Sequence, residues 1–327
     1  MSNFFVYTLF LFLNFFLLIN KNKISKFLNL WDKPDQNLKK HKIIAAPIIG
    51  IFFYINLTLL FFLSFLIDDI FLHKYIYLFL SLFFILGIFD DYFSLNYNLK
   101  FLFIILFCIF LLKIIPGLLI TELRFSFLDR SIYLSNHLYS YAFTIFCLLV
   151  FINAFNMYDG INCQSLIYIV IFSIYLISQF EITLLLMVLI IIVFFFLKPN
   201  YEGKLFLGNN GTILIGFLIS TLSINSYNTH ANTEADTIFI LMMLPGIDML
   251  RLFITRSVNL QNPFKGDRNH IHHLLIKKFF LFKSNLILFF IILIPIILSF
   301  LNNKLNIYII LIYLLIYFCI INILKNK

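Results

Sequence analysis

Four short polar segments interrupt an otherwise apolar chain, and they contain most of the side chains that could do chemistry. The first is the carboxylate pair Asp90 and Asp91, which ends an apolar run and is followed by Lys100 at the start of the next run. Carboxylates at the end of a membrane-length segment are costly unless water, a cation or a ligand meets them. With a nearby lysine they can form a Mg²⁺-phosphate site, because Mg²⁺ takes few protein ligands and substrate phosphates supply the others. A solvated helix boundary is the alternative, for which Asp68 and Asp69 are an internal comparison.

The second segment combines amides, a carboxylate and a glycine at a predicted helix exit. Asn153, Asn156 and Asp159 are three residues apart, so they share one face if the helix continues to Tyr158. An ordinary helix C-cap, with Gly160 in the left-handed conformation, would explain part of this pattern. Because a cap does not need three further polar side chains, we expect the segment to bind a ligand.

The third and fourth segments contain groups that could contact phosphate. Residues 208–212 are rich in glycine and amides before a predicted helix, where backbone N–H groups can bind an anion, although Asn-Gly is also a common turn. Residues 267–273 contain an aspartate, an arginine and the histidines His270, His272 and His273. These histidines lack the HExxH spacing of a zinc helix, and the sequence has no second Cys/His pair to complete a tetrahedral site. We therefore expect them to bind phosphate, transfer protons or order the loop.

The remaining sequence, which must position these segments, has the composition of a membrane protein. Of 327 residues, 62% are hydrophobic and 12% are charged, with a mean hydropathy of +1.00, whereas soluble domains are about 25% charged. The four cysteines have neither metal nor disulfide spacing. In a membrane chain, the net charge of +9 indicates the positive-inside rule rather than a nucleic-acid partner. The first apolar run lacks the features of a cleaved signal peptide, so we expect a retained helix.

We predict an all-α polytopic membrane protein with about 10–11 transmembrane helices and a single domain spanning residues 1–327. With the N-terminus outside, 19 of the 24 Lys and Arg residues lie on the cytoplasmic side. All four polar segments and the Lys-rich loop 21–42 then face the cytoplasm, so we expect one active site at the cytoplasmic helix ends. The predicted spans are 3–20, 43–67, 71–89, 100–115, 137–155, 163–178, 181–198, 211–227, 236–255, 284–301 and 306–324.

Four ordered groups of residues resemble the motifs of a known enzyme family. The chain resembles the polyprenyl-phosphate N-acetylhexosamine-1-phosphate transferases of glycosyltransferase family 4, which include the bacterial enzymes that start O-antigen, enterobacterial common antigen and teichoic-acid linkage lipids. The last motif is more similar to the N-acetylglucosamine branch than to the muramoyl-pentapeptide branch. The matching residues are Asp32-Lys-Pro34 with Lys39-Lys40-His41, Pro47 and Gly50; Asp90-Asp91 with Lys100; Asn153-Ala-Phe-Asn156-Met-Tyr-Asp159-Gly160; and Asp248, Arg251 and Arg256 with Pro263-Phe264 and Asp267-Arg268-Asn-His270-Ile-His272-His273.

The resemblance implies an enzyme of the bacterial cytoplasmic membrane that starts cell-envelope polysaccharide synthesis, such as that of lipopolysaccharide. It would transfer N-acetylhexosamine 1-phosphate from a UDP-sugar to undecaprenyl phosphate and release UMP, with Mg²⁺ as cofactor. A second copy of the chain is a further partner to test, and the sequence names neither the sugar nor the polymer. The implied roles are catalysis for Asp90, Asp91, Asp159 and His272; substrate binding for Lys100, Asn162, Arg256, His270 and His273; and Mg²⁺ ligation for Asn156 and Asn209.

Two alternative functions remain, and departures from the family pattern support the first of them. Relatives usually carry Gly-Asp-x-Gly-Ser where this chain has Gly208-Asn209-Asn-Gly211-Thr212, and the replaced aspartate is a Mg²⁺ ligand in relatives. Asn162 and Cys163 similarly stand where relatives carry Asp and Gly. A non-catalytic scaffold of the same fold is therefore one alternative. A secondary transporter is another, but transporters place polar residues near the membrane midplane, whereas these segments lie at predicted helix ends.

Overall fold

The computed structural model describes residues 3–32, 44–66, 74–179, 183–263 and 267–325. Most of this part of the chain is helical, and one short antiparallel hairpin pairs Glu122 with Tyr133 and Leu123 with Ile132. The helices are α1 (Asn3–Leu28), α2 (Ile49–Leu63), α3 (Lys74–Phe93), α4 (Tyr97–Ile114), α5 (His137–Tyr158), α6 (Gln164–Gln179), α7 (Thr183–Tyr201), α8 (Gly208–Thr229), α9 (Ala235–Val258), α10 (Ile271–Lys278), α11 (Leu281–Leu301) and α12 (Asn306–Lys325), with strands β1 (Glu122–Leu123) and β2 (Ile132–Tyr133) between α4 and α5.

The predicted all-α polytopic membrane fold is confirmed. Each of the eleven predicted spans overlaps one long helix, since every helix except the short α10 corresponds to an apolar run. Within the described ranges, eight helices are long and apolar enough to cross a membrane, and α2 and α6 are shorter apolar helices. The remaining long helix, α8, begins with the polar residues of the third segment.

The structure extends one predicted helix and adds another. α1 continues to Leu28 rather than ending near residue 20, so Lys21, Lys23 and Lys26 lie in the helix rather than in a loop. Lysine has a high helix propensity, so the backbone can remain helical beyond the apolar run. α10 is an eight-residue helix within the predicted last loop.

The chain divides into two compact units, each built from two separate stretches of sequence. The first unit comprises Met1–Phe107 and Ser165–Leu218, and the second comprises Cys108–Gln164 and Ile219–Lys327. In the first unit, α1 and α2 both pack against α7, and α2 also packs against α3. In the second unit, α9 packs against α5, α11 and α12, and α10 packs against α11 and α12. The single-domain organisation stays a prediction.

A short extended connection in the first unit positions the start of α8. Ala46 and Leu205 form a parallel bridge. The N–H groups of Ile49 and Gly50 donate to the carbonyls of Phe206 and Leu207, each at 3.1 Å. These bonds satisfy donors at the start of α2 that have no partner within their own helix. They therefore hold the segment that enters α8 against the start of α2.

Candidate active site

Asp90, in the last turn of α3, is paired with Lys100 on α4. The Lys100 Nζ donates to Asp90 Oδ2 at 2.7 Å, and the backbone N–H of Leu95 donates to Asp90 Oδ1 at 3.0 Å. The lysine and aspartate side chains are only 12% and 9% exposed. Lys100 was predicted to hold a phosphate, and a phosphate that binds it must compete with this carboxylate.

Asp91 caps the N-terminus of α8. Its Oδ1 accepts the backbone N–H of Asn209 and its Oδ2 that of Asn210, both at 2.9 Å, and the Asn210 side chain also donates to Oδ2. The first N–H groups of a helix lack partners in their own helix, and negative charge is favourable there. The sequence predicted that N–H groups at the start of α8 could bind a phosphate. Two of these groups instead donate to Asp91. The catalytic role of Asp91 stays a prediction.

Asn210 is a residue of this cluster that sequence reasoning missed. It is completely buried, and its Nδ2 donates to the Pro47 carbonyl at 2.8 Å as well as to Asp91. Glycines provide the necessary space: a Cβ on Gly50 would lie 2.1 Å from Asn210 Oδ1, and one on Gly87 would lie 2.5 Å from Asn210 Cα. Because glycine is unfavourable inside helices, these two glycines were the available signal of a close helix contact.

Asn209, the predicted Mg²⁺ ligand of this unit, contributes its backbone to the cap. Its N–H donates to Asp91, and its carbonyl accepts the Thr212 hydroxyl at 3.4 Å. Asn209 is partly exposed. The cap therefore does not depend on the side-chain amide of Asn209.

Asp248, on α9, is the centre of the second unit's polar cluster. Its Oδ1 accepts from Arg251 Nη2 at 2.8 Å and from the Tyr317 hydroxyl at 2.6 Å, and its Oδ2 accepts from His270 Nδ1 at 2.7 Å. All four residues are less than 9% exposed. A carboxylate only accepts hydrogen bonds, so His270 carries a proton on Nδ1. Its Nε2 is then an acceptor in the neutral ring and a donor in the imidazolium. Sequence reasoning did not find Tyr317, which lies outside every polar segment.

His272 is completely buried against the glycine that follows α5. Its ring is parallel to that of His270, with centroids 5.3 Å apart, and Gln164 Nε2 lies 3.4 Å from its Nδ1. A Cβ on Gly160 would lie 1.9 Å from His272 Nε2. Gly160 therefore provides space for the imidazole. It is not the left-handed cap considered above, because the positive φ here belongs to Cys163 (φ 71).

Burial keeps two of the three histidines uncharged at neutral pH. Burial lowers the pKa of His272 well below its usual value, and the neighbouring His273 and His270 lower it further. Burial also lowers the pKa of His273 to about 4, with added contributions from His270 and Arg268. His272 and His273 can therefore form neutral hydrogen bonds, but neither supplies a resident positive charge. The catalytic role of His272 stays a prediction.

Arg256 orders the loop between α9 and α10. Its Nε lies 3.0 Å from Asp267 Oδ2, and its Nη1 donates to the Pro263 carbonyl at 2.7 Å. Burial alone would raise the pKa of Asp267, but the Asn269 N–H and the charge of Arg256 lower it below its usual value. Arg256 was predicted to bind substrate, and these contacts give it a role in holding the loop.

The Asn/Asp segment lies at the C-terminal end of α5, where the sequence predicted a helix to end. α5 ends at Tyr158, and Asp159 is its C-cap residue. Asn156 and Asp159 are both partly exposed. The Asn162 carbonyl accepts from Asn285 Nδ2 at 2.9 Å, which ties this segment to α11. Two oxygen-bearing side chains thus lie at or near the end of α5.

Mg²⁺ binding stays a prediction, because the predicted ligands Asn156 and Asn209 belong to different units. Within the described ranges, no group of three or more His, Cys, Asp or Glu residues could hold a metal. Mg²⁺ usually keeps several waters and takes one or two carboxylates plus substrate phosphates. Asn156, Asp159 and Asn209 offer oxygen atoms of the kind that Mg²⁺ prefers.

The predicted site residues fall into two groups, one in each unit. Asp90, Asp91, Lys100 and Asn209 belong to the first unit, whereas Asn156, Asp159, Asn162, Arg256, His270, His272 and His273 belong to the second. A single site that combines both groups stays a prediction. The comparison pair Asp68 and Asp69, and the motif residues within 33–43 and 264–266, lie outside the described residues.

Comparisons with known proteins agree with the motifs. Residues 73–227 match the family "Glycosyl transferase family 4". The chain is 27% identical to an undecaprenyl-phosphate alpha-N-acetylglucosaminyl 1-phosphate transferase of Thermotoga maritima, over 84% of this chain and 83% of that protein. It is 26% identical to the protein of that name from Salmonella typhi and 25% identical to the one from Escherichia coli K12, in each case over 83% of this chain and 75% of the relative. These matches confirm that the chain is similar to glycosyl transferase family 4, the family that its motifs predict.

Proposed function

We propose that this protein is a membrane phosphoglycosyl transferase. It transfers a sugar 1-phosphate from a UDP-sugar to undecaprenyl phosphate and releases UMP. The observation that carries the proposal is the similarity, over 84% of the chain, to a relative named for transfer of N-acetylglucosaminyl 1-phosphate to undecaprenyl phosphate. N-acetylglucosamine 1-phosphate is accordingly the first group to test, within the wider class of N-acetylhexosamine 1-phosphates.

The chemistry requires an oxygen of the lipid phosphate to attack the sugar-bearing phosphorus and the bond to the UMP oxygen to break. In our proposal, His270 binds as an imidazolium: its Nδ1–H donates to Asp248, and its Nε2–H donates to a phosphate oxygen. Lys100 contributes positive charge, and Asp90 or Asp91 accepts the proton of the lipid phosphate, whose oxygen then attacks as an anion. Asn156 and Asn209 would hold Mg²⁺, which when bound would neutralise charge on the pyrophosphate, and Asp159 would act as a catalytic residue.

We further propose that the enzyme lies in the bacterial cytoplasmic membrane, with its site facing the cytoplasm. The excess of Lys and Arg on that side supports this orientation. The product, a sugar joined to undecaprenyl through a diphosphate, would start an envelope polysaccharide.

The test uses the full chain, purified in detergent, with UDP-N-acetylglucosamine, undecaprenyl phosphate and Mg²⁺. We expect UMP release that requires the lipid phosphate and stops when Mg²⁺ is chelated. A panel of other UDP-sugars then identifies the transferred sugar. A folded protein that releases no UMP with any member of the panel would contradict the proposal and favour the scaffold alternative.

A further inference from the structure

Three buried side chains on α9 and α12 form a closed ring of hydrogen bonds. The Tyr317 hydroxyl donates to Asp248 Oδ1 at 2.6 Å and accepts from Arg251 Nε at 2.8 Å. Arg251 Nη2 closes the ring by donating to Asp248 Oδ1 at 2.8 Å. A phenol hydroxyl can donate to the carboxylate and accept from the guanidinium at the same time.

The ring fixes the carboxylate that holds His270. With Oδ1 bound by Tyr317 and Arg251, Oδ2 is directed at His270 Nδ1 at 2.7 Å. The backbone N–H of Ile271, the first residue of α10, also lies 3.2 and 3.3 Å from the two oxygens. Rotation of the Asp248 carboxylate would therefore change the position of His270 and the entry into α10.

We propose that Tyr317 is a positioning residue, which acts through Asp248 to orient the His270 ring for phosphate binding. The inference rests on the proposed function, because the phosphate belongs to the substrates of that reaction. It assigns a role to the last helix, which lies outside the residues matched by the family and contributes none of the motif side chains.

Tyr313 provides a matched control on the same helix. It lies one turn before Tyr317, its ring stacks on that of Tyr317 with centroids 6.4 Å apart, and it is only 6% exposed. Its hydroxyl has no hydrogen-bond partner within the described ranges. Tyr317→Phe and Tyr313→Phe thus remove the same group from similar surroundings, but only the first change breaks the ring.

The kinetic test measures UMP release by the full chain. We expect Tyr317→Phe to lower kcat about tenfold, by analogy with hydrogen bonds that orient metal-ligating histidines. KM for the UDP-sugar should stay within about twofold, because the His270–phosphate contact would form fully only in the transition state. Tyr313→Phe should match wild type. Tyr317→Gln, which can both donate and accept, should retain more of kcat than Tyr317→Phe. In a His270→Gln background, Tyr317→Phe should have no further effect, whereas a purely structural role would lower kcat in both backgrounds.

A second readout does not depend on activity. In protein carrying ¹⁵N-labelled histidine, the Nδ1–H of His270 should give a downfield proton signal, assigned by its loss in His270→Gln. Tyr317→Phe should shift or broaden this signal, and Tyr313→Phe should leave it unchanged. If the signal behaves in this way while wild type releases no UMP, the positioning role stands and the proposed function fails. An unchanged signal and an unchanged kcat in folded Tyr317→Phe would overturn the proposal.

Discussion

At the residue scale, charged groups of the predicted site are bound to other parts of the protein. Asp90 binds Lys100, Asp91 binds the start of α8, and Asp248 binds Arg251 and His270. Buried charges need partners, so removing one member of a pair costs more than replacing both. If these residues bind substrate as proposed, stability and ligand binding are therefore coupled there.

The Asp90–Lys100 pair tests this coupling. Asp90→Asn should destabilise the protein by about 3 kcal/mol, because it leaves the Lys100 ammonium nearly buried without a countercharge. The double variant Asp90→Asn/Lys100→Met should recover much of this loss. Thermal unfolding in detergent measures both effects.

The exposed pair Glu202–Lys204 is the matched control. Its side chains are 35% and 56% exposed, so Glu202→Gln should not change the melting temperature measurably. If the double variant at Asp90 and Lys100 is as unstable as Asp90→Asn alone, the pairing explanation is wrong.

Acid should destabilise the protein through His273. The folded pKa is lowered to about 4, whereas an unfolded histidine has a pKa of about 6.5. Between these values the unfolded state binds more protons than the folded state, so stability falls as the pH decreases from about 6.5 to about 4. His273→Gln should reduce this loss, which melting temperatures at pH 7 and pH 5 would reveal. An equal decrease in both proteins would remove His273 as a cause.

At the element scale, the sequence predicted the helices better than their contacts. Long apolar runs predicted eleven helices because a membrane-length run has few other structures available to it. The pattern did not predict the helical Lys residues after residue 20 or the short helix α10, since neither is an apolar run. It also did not predict the contact of α3 with α8, because that contact joins residues about 120 positions apart, such as Asp91 and Asn210.

The close contact of α3 with α8 gives a test at this scale. A Cβ on Gly87 would lie 2.5 Å from Asn210 Cα and 2.6 Å from the Asn209 carbonyl oxygen, both backbone atoms. Gly87→Ala must therefore displace one helix, and overpacking of this kind costs about 1–3 kcal/mol. The control is Gly246→Ala in α9, where nothing lies within 4 Å of the new Cβ. It should keep or raise the melting temperature, and equal melting temperatures for the two variants would contradict the close packing.

At the scale of the whole molecule, the sequence identified the polar segments but not the hydrogen-bond partners of their side chains. His270 and its neighbours were recognisable by residue type within one short segment. Tyr317 was not, because its partner Asp248 is 69 positions away and a tyrosine in an apolar helix carries no distinguishing signal. The division of the predicted site residues between two units was likewise invisible in sequence, since each unit joins distant stretches of chain.

Membrane topology provides the last test, because the positive-inside rule makes a prediction for every loop. With 19 of 24 basic residues on one side, the C-terminal ends of α3, α7 and α9 should face the cytoplasm. In a protein whose four native cysteines are replaced, cysteines at the exposed positions Ser94, Glu202 and Asn269 should react with an impermeant maleimide in inverted vesicles. Those at Asp129 and Asn303, also exposed, should react in intact cells instead. Labelling of any two of the first three from opposite sides would refute a single cytoplasmic site, since its residues could not then face one compartment.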